Sequence, residues 1–190
     1  MRKSKKGIVL LVIGILFLSI AGVWIAKNIS IDINAEKVAF QLLEKVIDEA
    51  NRTTETSGDT EAVVVDGEEF CGRVLIEKLN LELPVYNEWS YEKLKSAPCR
   101  YKGSALTDNL VIAAHNYKSH FGNIDLLKEN DEIVFIDANG NRYNYAVEQI
   151  TKLDGTDVES MASDKWDFTL FTCTFDGSQR VTVRCNKSEN

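Results

Sequence analysis

Thr169-Leu170-Phe171-Thr172-Cys173-Thr174-Phe175-Asp176-Gly177-Ser178-Gln179-Arg180-Val181-Thr182-Val183-Arg184 is the stretch whose reading decides the fold. Two runs rich in Val, Thr, Phe and Leu flank an Asp-Gly pair, which tolerates the positive φ of a tight hairpin turn. With the turn centred on Asp176-Gly177, Phe175 faces Ser178, Thr174 faces Gln179, and Cys173 stands opposite Arg180. Directly opposed residues share a face, with Cβ atoms roughly 4.5–5.5 Å apart. The hairpin therefore sets a guanidinium beside a thiol. A permanent positive charge favours thiolate, and its five-donor fork suits an oxyanion formed when that sulfur attacks a carbonyl. The bland alternative is a buried, inert cysteine opposite a surface arginine.

A third group lies upstream. Asn109-Leu110-Val111-Ile112-Ala113-Ala114-His115 is a short apolar run, as expected of a buried strand, and it ends in one of only two histidines. Cys173, His115 and Arg180 would then converge.

Thr-Leu-x-Thr-Cys, an Arg on the next strand and a His closing an upstream apolar strand together resemble the signature of the sortases. These are membrane-anchored cysteine transpeptidases of Gram-positive surfaces. The resemblance covers about residues 70–186 and includes Ala97-Pro98-Cys99-Arg100-Tyr101-Lys102-Gly103-Ser104. It implies an all-β fold, a closed eight-stranded barrel with one or two short helices. It also implies His115, Cys173 and Arg180 as catalytic residues, with Asn116, Thr172 and Ser104 as candidate substrate-binding residues. The implied substrate is a surface protein bearing a Leu-Pro-x-Thr-Gly-like C-terminal sorting signal. The implied acceptor is an amine of a peptidoglycan precursor or a pilin lysine. With no long N-terminal lid segment, the chain resembles class B or D members more than pilin-polymerising ones.

The chain has 190 residues, 44% hydrophobic and 27% charged, with two prolines. Those values suit one globular domain with appendages. A net charge of −7 gives nucleic acid no footing, and neither a Gly-rich phosphate loop nor a Cys-x-x-Cys pair is present. No cofactor is expected. Calcium is the weaker expectation, from Asp108 and the acidic stretch Asp154, Asp157, Glu159 and Asp164, because oxygen ligands suit that ion.

Gly7 to Ala26 carries no charge over twenty residues. A helix of that length is about 30 Å long, the thickness of a bilayer's hydrocarbon core. The run is longer than the apolar region of a signal peptide, and Trp24 and Lys27 suit the interface of a retained anchor. Arg2, Lys3, Lys5 and Lys6 precede it, so the positive-inside rule leaves residues 1–6 cytoplasmic and residues 28–190 outside. The expected location is the cell membrane, single-pass.

Residues 27–68 are read as a juxtamembrane helix and linker. Val38, Leu42, Val46 and Ile47 mark the expected apolar stripe, and the polar stretch from Asn51 to about Asp66 is read as linker. Residues 69–190 form the expected catalytic domain. Within it, Phe70–Leu79, Leu81–Tyr86, Asn109–His115, Glu132–Asp137, Arg142–Thr151 and the Cys173 hairpin read as strands. A short helix is expected over Ser90–Ser96 with Ser90 as N-cap, and a helical turn around Ile124–Leu127. A loop is expected from Lys152 to Asp167. Composition by itself leaves barrel and sandwich open.

Several residues have rivals. His120 is the runner-up base, and Arg184 competes with Arg180, since both alternate onto one face with Thr182. Cys185 alternates with Val181 and Val183 toward the core. The oxidising compartment leaves a disulfide among Cys71, Cys99 and Cys185 open. Two other functional classes also stand: a secreted cysteine protease, which would hydrolyse its acyl enzyme, and a non-catalytic surface-binding module.

Overall fold

The protein is described here by a computed structural model covering residues 5–56 and 60–188. It divides into two compact units, residues 1–34 and 35–190. The basic residues Arg2 and Lys3 lie outside the described residues. Helix α1, Lys5–Thr56, runs through both units. In the first unit every side chain from Gly7 to Ile31 is exposed, Leu18 to 75%. The helix contains an 18-residue window of mean hydropathy 2.9. Such a surface is stable only in an apolar solvent, and the helix is a candidate membrane span.

In the second unit nine strands follow: β1 (Val63–Val65), β2 (Glu68–Ile76), β3 (Leu81–Tyr86), β4 (Cys99–Lys102), β5 (Leu110–Ala113), β6 (Glu132–Asp137), β7 (Arg142–Asp154), β8 (Phe168–Cys173) and β9 (Gln179–Lys187). Neighbours run β1-β2-β3-β4-β5-β8-β9-β7-β6, and β6 pairs back onto β2. Strands β2 to β9 thus close into an eight-stranded barrel, with β3–β4 and β5–β8 parallel and the other pairs antiparallel. Closure removes the exposed sheet edges that an open sandwich would keep. It depends on β2, which bends at a bulge between Phe70 and Gly72 to serve β3 and β6 together. Gly72 has φ 148°, and a Cβ there would lie 2.2 Å from the Ile136 carbonyl oxygen. Only glycine allows that approach.

Alternate residues fill the barrel: Val74 and Ile76, Leu83 and Val85, Leu110 and Ile112, Phe168 and Leu170, Val181 and Val183, then Cys185. Phe70, Tyr86, Cys99, Val111, Ala113 and Phe171 make a second cluster, on the outer face.

Five local readings differ from the sequence expectation. The stretch read as linker contains helix to Thr56 and strand β1, which pairs with β2 through Asp66-Gly67. Both turn residues have positive φ, 53° and 83°, so the same Asp-Gly chemistry that turns the Cys173 hairpin acts here. Residues 57–59 of that stretch lie outside the described residues. The buried stripe of the helix after residue 34 is Ala35, Ala39, Leu43, Val46 and Ala50, with Val38 exposed. The small alanines let the backbone approach the barrel, which rotates the stripe from the one drawn through the larger residues.

The expected helix over Ser90–Ser96 is a single 3-10 turn, Lys93–Lys95, whose Lys93 amide donates to Ser90 Oγ at 3.1 Å. The strand read from Phe70 to Leu79 ends at Ile76 and passes into a 3-10 turn, Glu77–Leu79. Strand β7 extends to Asp154, and a short helix, α2 (Val158–Met161), stands in the expected loop. Asp157 caps α2 by accepting from the Ser160 amide.

Candidate active site

Cys173 ends β8 and pairs with Arg180 on β9, in the register the Asp-Gly turn dictates. The turn is tightly held. The Thr174 amide donates to the Gln179 carbonyl, and the Gly177 amide to the Thr174 carbonyl, both at 2.9 Å. Asp176 accepts from the Thr174 hydroxyl at 2.6 Å and from the Ser178 amide and hydroxyl. Those bonds hold its carboxyl well down, at about 2. Phe175 at the tip is 96% exposed.

Strand β5 lies beside β8 in parallel, with Ala113 level with Phe171. Two residues further along each chain come His115 and Cys173, so both leave the barrel at the same end and level. Two bonds fix that junction: the Thr172 hydroxyl donates to the Ala114 carbonyl at 2.8 Å, and Asn116 Nδ2 to the Thr174 carbonyl at 3.4 Å. His115 stacks on Tyr117, centroids 4.8 Å apart. Its partly buried setting, and secondarily the charge of Lys95, lower its pKa.

Arg180 Nη1 donates to the carbonyls of Gly177 and Gln179 at 3.0 and 3.1 Å. A Cβ on Gly155 would lie 3.1 Å from that nitrogen, so the glycine makes room for the guanidinium. Arg184, the rival, is 3% exposed. Its guanidinium donates to the Met161 carbonyl at 3.0 Å, to the Thr169 hydroxyl at 3.1 Å and to the Ser160 carbonyl. It is spent holding the end of α2 and is turned away from the cleft. Lys102 holds the same segment from β4, donating to the Ala162 carbonyl at 2.9 Å and pairing with Asp164 at 2.8 Å.

The structure brings His115, Asn116, Thr172, Cys173 and Arg180 into one neighbourhood. Thr172 is buried and its hydroxyl is engaged, so it acts there through the main chain it fixes. Ser104 is elsewhere. It precedes β5, about 13 Å of strand from His115, bonds Thr107 and lines a cavity of about 210 Å³ with Cys71, Arg100 and Asp137. His120 is fully buried against Tyr117, centroids 5.3 Å apart. Tyr117 and Lys95 were missed in the sequence, where neither carries a spacing signal toward His115.

All four cysteines are free, and only Cys173 is partly exposed. Burial pushes the thiols of Cys71 and Cys99 up, to about 12 and about 11, and raises that of Cys185. The acidic stretch is used locally: Asp154 accepts from Thr156, Asp157 caps α2, Asp164 pairs with Lys102, and Asp108 pairs with Lys187. No cluster of three metal-ligating side chains occurs among the described residues.

The sequence matches the family profile described as Sortase domain over residues 74–188. The chain belongs to the sortase family. Among solved structures, this sortase is similar to a Clostridium perfringens sortase D5 transpeptidase, with TM-score 0.65 and 20% identity over 80% of this chain and 99% of that one. It is also similar to sortase C1 from Streptococcus agalactiae, with TM-score 0.60 and 24% identity over 81% and 99%. A third similar structure is Clostridium perfringens sortase C with the C-terminal cell wall sorting motif, with TM-score 0.57 and 24% identity over 85% and 98%. At these identities the likeness is one of fold, and it spans sortases of both C and D types. No curated protein matches the sequence. In this sortase the barrel presents its candidate nucleophile at the shared end of β5 and β8.

Proposed function

We propose that this sortase is a cysteine transpeptidase acting on a Leu-Pro-x-Thr-Gly-like sorting signal. The observation that carries the reading is the pairing of Cys173 with Arg180 across β8 and β9, with His115 leaving the parallel neighbour β5 at the same level. Cys173 passes its thiol proton to His115 as Sγ attacks the scissile carbonyl carbon, and the C–O π electrons move onto oxygen. Arg180 Nε and Nη2, which make no hydrogen bond to the protein among the described residues, stabilise that oxyanion. The oxyanion collapses, the C–N bond breaks and His115 gives the departing amine a proton. A thioester remains on Cys173.

A second amine, losing its proton to His115, attacks the thioester and expels the Cys173 thiolate. The acceptor is an amine of a peptidoglycan precursor or a pilin lysine. The span in α1 anchors the enzyme in the cell membrane with its N-terminus cytoplasmic, so donor and acceptor meet at the outer surface. A fold relative solved with a sorting motif supports this substrate class.

The test is mass spectrometry of the full chain in detergent micelles with a Leu-Pro-x-Thr-Gly peptide, with and without a glycine amine. The expected result is a Cys173-linked acyl adduct that converts to the amine-linked product and is absent in Cys173→Ala. Release of only free acid under excess amine identifies a protease instead.

A further inference from the structure

The candidate base is held by the face of its ring. His115 follows Ala114, whose carbonyl accepts the Thr172 hydroxyl, and precedes Asn116, whose Nδ2 donates to the Thr174 carbonyl. The main chain on each side of His115 is therefore tied to the main chain on each side of Cys173. Those bonds leave the side-chain torsions of His115 unfixed. In a nucleophile–base pair the base is ordinarily oriented by a third group, commonly through a hydrogen bond. Among the described residues no hydrogen bond reaches the His115 imidazole. The group packed on it is the ring of Tyr117, stacked at 4.8 Å with the planes 29° apart.

Tyr117 is itself held. Its ring also meets that of His120, 5.3 Å away and tilted by 54°, and His120 is fully buried. The loop that carries the three rings is tightly wound. The Phe121 amide donates to the His115 carbonyl at 3.2 Å, and the His120 and Gly122 amides donate to the Tyr117 carbonyl at 3.0 and 2.8 Å. A Cβ on Gly122 would lie 2.6 Å from the carbonyl oxygens of Asn116 and Tyr117, so only glycine allows this approach. Phe121 and Ile124, next along the chain, are fully buried in the barrel core. Packing thus runs from the core through His120 and Tyr117 to the imidazole, and a site is held closely when packing locks the side chains that support it.

We propose that Tyr117 is a positioning residue for His115: its ring face, steadied by buried His120, keeps the imidazole in the one orientation that serves every proton transfer of the reaction. The inference rests on the reading of His115 as the acid–base. In each turnover the same ring takes a proton from the Cys173 thiol, gives one to the departing amine and takes one from the incoming amine. An imidazole free to rotate is misplaced in all three steps, so the loss falls on kcat rather than on substrate binding. The contact is between ring faces and needs no phenol hydroxyl.

The test uses the full chain in micelles. Tyr117→Phe keeps the ring face, whereas Tyr117→Leu and Tyr117→Met keep apolar bulk without it. With the motif peptide and a glycine amine, the Leu and Met variants lower kcat about tenfold or more, a part of the 10²–10⁴ that a positioned acid–base supplies, and leave KM little changed. Tyr117→Phe keeps the parent kcat. Parent rates in the Leu and Met variants, or a Phe variant as slow as they are, overturn the proposal.

A second readout needs no turnover. The chain has two histidines, so a histidine-labelled sample gives two sets of ring signals, and those of His115 are the set lost in His115→Gln. At about pH 8, where imidazole is neutral, the Tyr117 ring current holds the His115 ring protons upfield in the parent and in Tyr117→Phe. They move downfield in the Leu and Met variants. Equal His115 shifts in all four proteins overturn the stack whatever the kinetics. If no peptide acylates Cys173, the transpeptidase reading falls and the shifts alone decide the stack. If the parent turns over and the Leu and Met variants match it, the positioning role falls and the transpeptidase reading stands.

Discussion

Thr172 donates its hydroxyl to the carbonyl of Ala114 at 2.8 Å, tying the residue before Cys173 to the residue before His115. Thr172→Val keeps the shape and removes the donor, leaving a buried carbonyl without that partner. The expected loss is about 1–3 kcal/mol of stability, read as a lower urea midpoint, with kcat falling more than KM changes. Thr172→Ser keeps the hydroxyl and restores most of both. A Val variant with unaltered midpoint and kcat would show that the bond does not position the pair.

Arg180 is paired with Cys173 by strand register, and its fork is the oxyanion donor in the proposed chemistry. Arg180→Lys keeps the charge but loses the planar fork. Acyl-adduct formation should slow about 10²- to 10³-fold, the usual cost of one oxyanion donor, while Cys173 stays open to a small alkylating reagent. Full-rate acylation in the Lys variant would exclude this role.

Burial, and then Lys95, hold the His115 pKa below its ordinary 6.5. The unfolded chain therefore takes up this proton more readily than the folded one. The linked penalty on stability is absent above about pH 6.5 and grows as pH falls toward the folded value. Lys95→Gln removes a like charge, so the His115 ring should titrate at higher pH in a proton NMR series. Because Lys95 is largely exposed, the shift should be larger at low salt than at high salt.

Arg184 is a buried guanidinium that closes the last carbonyls of α2. Arg184→Met removes those donors and should cost on the order of 2–4 kcal/mol. The amides of Met161 and Ala162, bonded within α2 to Asp157 and Val158, should then exchange hydrogen faster. Unchanged exchange at both amides would mean that α2 stands without the arginine.

Gly72→Ala places a methyl against the Ile136 carbonyl at the seam where β2 meets β6. A destabilisation of about 3 kcal/mol or more is expected, seen as a fall in thermal midpoint. Gly140→Ala, in an open turn with nothing within 4 Å, bears only its left-handed φ and should lose less.

Much of the fold was written locally. The Asp176-Gly177 turn set the Cys173–Arg180 register, Asn139-Gly140 joined β6 to β7, and the Val-Cys alternation of β9 placed Cys185 in the core. Hairpin pairing is between neighbours in sequence, so a few turn residues and a two-residue period settle it. Strand β1 obeys the same rule at Asp66-Gly67, but its three valines are too short a run to stand out at the end of a stretch rich in Thr, Glu, Ser and Gly. The short helix α2 was masked by an acidic composition that reads as loop.

Other relationships had no local signal. The parallel pairing of β5 with β8 joins residues almost sixty positions apart, and that pairing brings His115 to Cys173. Nothing in either segment names the other, because parallel partners share no turn. The stripe of α1 that packs on the barrel, the engagement of Arg184 by α2 and the placing of Lys95 near His115 are likewise outcomes of closure. The sequence by itself determined the membrane-length helix, the hairpins and the thiol–guanidinium pair, since each depends on residues within one turn or one period. Only the tertiary structure decided that Arg184 is engaged by α2, which histidine stands beside Cys173 and that Ser104 lies away from it, because those positions follow from how distant strands shear past one another to close a barrel.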